Sequence, residues 1–142
     1  MPRYVGVNLN EMATIGYFGY KTDSREFKVF VASESNLKPS FHISTGKKNT
    51  KEYKCIAVLL KTFTVIEFPD TSLENRTRFP KKIFKLFRKF LDEIHIIHKV
   101  PNWVYLLREW NSEQIGSPEV WVDDTMPIPD VDDFQYAPKF GL

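Results

Sequence analysis

Two histidines one helical turn apart, His95 and His98, with Asp92 a turn before them, are the nearest approach in this sequence to a metal-ligand pattern. The i, i+3 spacing sets side chains on neighbouring parts of one helix face. At about 100° per residue, however, His98 falls within an apolar stripe and His95 on its border, and no further ligand has diagnostic spacing. Packed or capping histidines near a helix end are the expectation, with no metal. His42 alternates with Phe41 and Ile43 and so points to the opposite side of its strand, as a surface or hydrogen-bonded histidine. It is the best single candidate for a polar site. Cys55, the one cysteine, opens the most apolar strand; with no Cys/His signature around it, it reads as a small core residue in a reducing compartment. Neither G-x-x-x-x-G-K nor G-x-G-x-x-G occurs among only six glycines, so no phosphate-cradling loop and no cofactor is expected. These residues assemble no catalytic group, and the expectation is that the chain is not an enzyme.

A charge cluster is more substantial. Arg76, Arg78, Lys81, Lys82, Lys85, Arg88 and Lys89 occur with no acid between Glu74 and Asp92, and five of them share one helical face. Lys81 and Lys82 near the helix start oppose the macrodipole, a modest cost that stability alone does not recommend. An ordinary solvated face, a phosphate-binding face for nucleic acid, and a dock for an acidic protein strip all suit this pattern.

These residues need elements to position them. Ile15–Tyr20 and Phe27–Val31 are aromatic and β-branched, with a polar connection between them, and form a hairpin. Phe41–Ser44 alternates as a third strand, and Gly46-Lys47-Lys48-Asn49 is a turn. The long β-prone run from Tyr53 to Phe68 exceeds ordinary strand length and breaks near Lys61-Thr62 into Lys54–Leu60 and Phe63–Phe68. From Pro80 the period changes. Ile83, Leu86, Phe87, Phe90, Leu91, Ile94 and Ile97 recur at three and four residues, predicting an amphipathic helix of about five turns that Val100-Pro101 ends. Asn102 then N-caps a second helix with a Trp103, Leu106, Leu107, Trp110 stripe. The fold class is α+β: a mostly antiparallel β-meander of about five strands packed on two C-terminal α-helices, followed by an extended acidic tail.

At 142 residues, 42% hydrophobic and 27% charged, the chain has room for one compact domain. The expected division is an N-terminal arm over 1–12, a single domain over 13–115 and a tail over 116–142. The net charge of +2 conceals a basic body and an acidic tail, +9 over residues 1–108 and −7 over 109–142. Such asymmetry bears on partners and steering. The tail is not merely solvating, because Trp121, Met126, Ile128, Phe134, Tyr136 and Phe140 are interleaved with its acids and prolines. Large apolar groups are costly to leave in water, so the tail is expected to lie as a protein-binding strap along its own body or a neighbour's. The longest apolar run, Cys55–Leu60, is far short of the roughly 20 residues that span a bilayer, and Met1-Pro2-Arg3-Tyr4 does not open a signal peptide.

Three segments, Pro39-Ser40-Phe41-His42, then Asn102-Trp103 through Leu106-Leu107 to Trp110-Asn111, and Met126-Pro127-Ile128-Pro129-Asp130, resemble a family of small bacterial and phage proteins of unknown function. Its members carry a Pro-His-Phe-His segment ahead of a meander, then a helix and a closing Trp-containing helix. Ser40 stands where that family has its first histidine. The resemblance implies a small α+β protein of a bacterium or its phage and transfers no catalytic residue. The function expected is a protein–protein interaction or assembly module, a phage-encoded virion or accessory component docking through its tail and basic helix face. The alternative is a nucleic-acid-binding or regulatory, host-inhibiting protein. Partners are then other protein subunits, a second copy of the chain included, with nucleic acid as the second class and no membrane, in the host cytoplasm or the virion.

Overall fold

A computed structural model of the chain describes residues 11–20, 25–32, 39–46, 53–67, 81–113, 122–123, 125–130 and 134–136. Five strands run β1 (Glu11–Tyr20), β2 (Arg25–Ala32), β3 (Ser40–Thr45), β4 (Lys54–Leu59) and β5 (Thr64–Glu67), followed by α1 (Lys81–Asp92), α2 (Asn102–Ser112) and a short β6 (Gln135–Tyr136). The sheet order is β1-β2-β3-β4-β5-β6. The first five strands form an antiparallel meander, and β6 pairs parallel to β5 through Thr64–Gln135 and Val65–Tyr136. The chain is an α+β protein, as expected.

Strand alternation decides which residues meet the helices. Phe27, Val29 and Val31 of β2, Phe41 and Ile43 of β3, Ile56 and Val58 of β4 and Val65 of β5 are buried in one cluster with Ile83, Phe87, Phe90 and Leu91 of α1 and Trp103, Leu106, Leu107 and Trp110 of α2. Both helix stripes therefore face one core. The intervening positions form a second row, Thr14–Phe30–His42–Ala57–Ile66, paired across five strands on the other face.

Four features depart from the sequence reading. The first strand begins at Glu11, inside the segment expected to be an arm; residues 1–10 lie outside the described residues. The tail contributes a sixth strand. It was not foreseeable because two residues, Gln135 and Tyr136, carry no periodicity. Asn102 is the first residue of α2 rather than its N-cap, a place taken by Pro101. Its side chain caps the preceding helix instead, Nδ2 donating at 2.8 Å to the Phe90 carbonyl, which has lost its i+4 partner at the helix end and also accepts Glu93 N–H at 3.1 Å.

The largest departure is the length of α1, twelve residues rather than five turns. Beyond Asp92 the chain makes a hairpin in which Asn102 N–H donates to Glu93 O at 2.8 Å, His95 N–H to Val100 O at 2.7 Å and Lys99 N–H to His95 O at 2.9 Å. The physical cause is a competing acceptor. His95 Nδ1 receives the N–H groups of Ile97 at 3.3 Å and His98 at 3.2 Å, donors a continuing helix would have used, in a β-branched run of low helix propensity. Ile94 and Ile97, assigned to the core stripe, are consequently 59% and 75% exposed.

Close packing of α1 on β1 depends on Gly16, which sits beside a register shift in the β1–β2 ladder. A Cβ there would lie 2.8 Å from Phe90 Cζ. Gly16→Ala is expected to cost about 1–3 kcal/mol by overpacking. Trp110→Ala, emptying a fully buried site, should cost about 3–5 kcal/mol. Urea denaturation of the two variants checks both, and a Trp110→Ala midpoint equal to the parent's would refute the two-helix packing.

Candidate interaction surface

The tail's described residues lie against the chain's own core. Val122 is buried and held by Asn111 of α2 at two points: Nδ2 donates to Val122 O at 2.6 Å and Oδ1 accepts from Val122 N–H at 3.0 Å. The side-chain amide thereby does what a neighbouring strand would do. Asp123 Oδ1 then accepts from Thr125 N–H at 2.9 Å and Oγ1 at 2.7 Å, turning the chain; these bonds hold the Asp123 carboxyl below its ordinary range. Trp103 Nε1 donates to Met126 O at 3.0 Å. Phe134 is stacked between Phe63, at 4.5 Å between centroids and 11°, and Phe84, at 4.4 Å and 16°. Met126, Ile128 and Phe134 are thus partly buried in cis. Trp121, Phe140 and the side chain of Tyr136 lie outside the described residues.

The basic helix divides into two. Lys81, Lys82, Lys85 and Lys89 are exposed, as a solvated ridge. Arg88 leaves it: Nη1 donates to Pro129 O at 2.7 Å and the guanidinium stands 5.9 Å from the Phe63 ring centroid. It latches the strap. Arg76 and Arg78 lie outside the described residues.

At the end of the lysine ridge the 93–102 hairpin presents Ile94, Ile96 and Ile97 to solvent, the last two 82% and 75% exposed. Sequence reasoning missed this feature, because Ile94 and Ile97 continue the helical period of the core. The hairpin is a built element. Besides its backbone bonds and the His95 acceptor, the Tyr105 ring stacks on His98 at 4.1 Å and lies 4.4 Å from His95. Burial, with the Glu109 carboxylate, pushes the Tyr105 hydroxyl above its usual range. Each isoleucine left in water forgoes up to roughly 1.5–3 kcal/mol of burial. His95 and His98 serve loop structure; among the described residues no group of three His, Cys, Asp or Glu is placed to hold a metal ion.

His42 does point away from Phe41 and Ile43, but it is buried rather than on the surface. It stacks on Phe30 at 5.2 Å and 17°. Burial lowers its pKa to about 4, leaving a neutral imidazole within the sheet's second face. Cys55 is half-buried beside it in the Phe30–Ala57 cluster. No described helix is long and apolar enough to cross a membrane. Compared with protein-family models, curated proteins and solved structures, the chain matches none.

Two outcomes follow. Phe134→Ala should destabilise the chain by about 2–3 kcal/mol, less than a fully buried phenylalanine, and speed amide exchange at Met126; unchanged stability and exchange would refute the docked strap. For His42, the unfolded chain takes up a proton below its ordinary pKa of 6.5 while the folded chain does not until about 4. Stability is therefore full above pH 6.5, falls by about 3 kcal/mol as pH drops to 4, and levels below. Urea midpoints of wild type and His42→Gln across that window measure it; parallel profiles would exclude His42 as the source.

Proposed function

We propose that the chain is a non-enzymatic protein–protein interaction module that docks through the α1–α2 surface, its lysine ridge and isoleucine hairpin together. The observation that carries this reading is the exposure of Ile94, Ile96 and Ile97 on a hairpin held by its own hydrogen bonds. An ordered apolar projection loses little entropy on binding and gains from desolvation, the properties of an interface centre. The exposed lysines alongside it supply steering toward carboxylates on a partner. The strap, expected to be the docking element, is engaged with its own body, so on this reading its role is to complete the scaffold. The resemblance described above favours a phage-encoded virion or accessory component as the setting.

A second reading, nucleic-acid binding, rests on the four exposed lysines of α1. Such binding would weaken with salt with a log–log slope of about −0.9 per phosphate contacted. Titration of labelled single- and double-stranded oligonucleotides at low salt decides it; no binding at micromolar protein removes it. The primary reading is tested by a photo-crosslinking residue at position 96 in expressing cells. A discrete adduct is expected there and not from the same probe at exposed Thr62. Equal yields from both positions would overturn the reading.

A further inference from the structure

The hairpin that supports the interaction reading also carries the complement of its own charge. Asp92 and Glu93 are exposed at its base and Lys99 where its turn closes on His95, with Ile94 between these levels and Ile96 and Ile97 exposed in the turn itself. The base is fixed by the Asn102 N–H···O Glu93 bond and the Ile94–Pro101 bridge, and the turn by Lys99 in the left-handed region at φ 59°. Lys99 is bonded to His95 and so stands about 7 Å above Glu93 by the rise of an extended strand. A two-fold contact requires this kind of patch, one in which residue i meets j and j meets i.

We infer that a second copy of this chain occupies the hairpin, the two hairpins lying antiparallel so that the isoleucines of each cover those of the other and Lys99 of each reaches Asp92 and Glu93 of its mate. This inference rests on the interaction reading and names its partner. Anionic lipid would be drawn to the lysines of α1 but would leave Asp92 and Glu93 facing headgroups of their own sign, whereas a second copy pairs them. A second copy supplies both signs and an apolar patch at once, because the hairpin carries all three itself. The contact is small against the roughly 800 Å² per side of a standard interface, so the dimer forms with rising concentration and is not permanent.

Sedimentation equilibrium of the full chain from about 1 to about 200 µM tests this, with circular dichroism to show that each variant is folded. The mass should climb from 16.7 kDa toward twice that value, and the paired change Ile96→Ser with Ile97→Ser should hold it at the monomer throughout. Glu93→Lys alone and Lys99→Glu alone each place like charges in both contacts and should weaken the dimer about tenfold. Mixed in equal amounts, the two variants restore opposite charges at both contacts and should recover the wild-type mass. A wild type that stays monomeric overturns the inference, as does a mixture no more associated than its components. If the position-96 probe nevertheless yields an adduct with another protein, the interaction reading survives and the self-pairing fails. A dimer indifferent to all these changes refers assembly to another surface. Binding of the monomer to phosphatidylglycerol vesicles that the isoleucine variant loses would assign the hairpin to lipid and overturn both.

Discussion

The ring of Phe63 touches the sheet, both helices and the strap. It meets Phe41 of the sheet, Phe87 of the first helix, Trp103 of the second and Phe134 of the strap, at 6.4, 6.5, 5.7 and 4.5 Å between centroids. The backbone that delivers it is strained, with φ 59° at a bulky residue, a conformation costing about 1–3 kcal/mol. Aromatic pairs contribute about 0.5–1.5 kcal/mol each beyond their burial, enough for this set to hold the turn as it is. Phe63 N–H donates to Leu59 O at 2.9 Å, so the turn between the fourth and fifth strands also aims the ring at the helices. The sheet, both helices and the strap are registered to one another through this residue.

What was legible in the sequence followed from period. The five strands, the break near Lys61-Thr62 and the two apolar helix stripes came from alternation and three-and-four spacing, and with them the α+β class. What stayed hidden was decided by side chains acting on distant or local backbone. The first helix stops because His95 offers Nδ1 to two amides that the helix would have used, and because Asn102 caps it from outside. Neither event alters the spacing of Ile94 and Ile97, so hydrophobic pattern alone carried the helix too far. Phe84 shows the converse: it lies outside the predicted stripe yet is buried, because Phe134 stacks on it.

The candidate surface was legible to the extent that charge is. The lysines of α1 are exposed as their spacing implied. Arg88 belongs to the same run in sequence, but a planar guanidinium can donate to a carbonyl while resting on an aromatic ring, and the strap supplied the carbonyl. The tail's apolar content announced a strap without saying which body it would lie on. The isoleucine hairpin could not be found from composition, since apolar residues at helical spacing are ordinarily core.

The parallel pairing of Thr64 with Gln135 ties positions 71 residues apart. Synthesis at about 5–20 residues per second places some 4–14 s between them. During that interval the meander and both helices can already meet, while Phe63 and Phe84 still lack the ring that lies between them. The nascent chain therefore passes through a stage in which the aromatic slot beside Arg88 awaits its third ring, so the last residues made are the ones that close the fold.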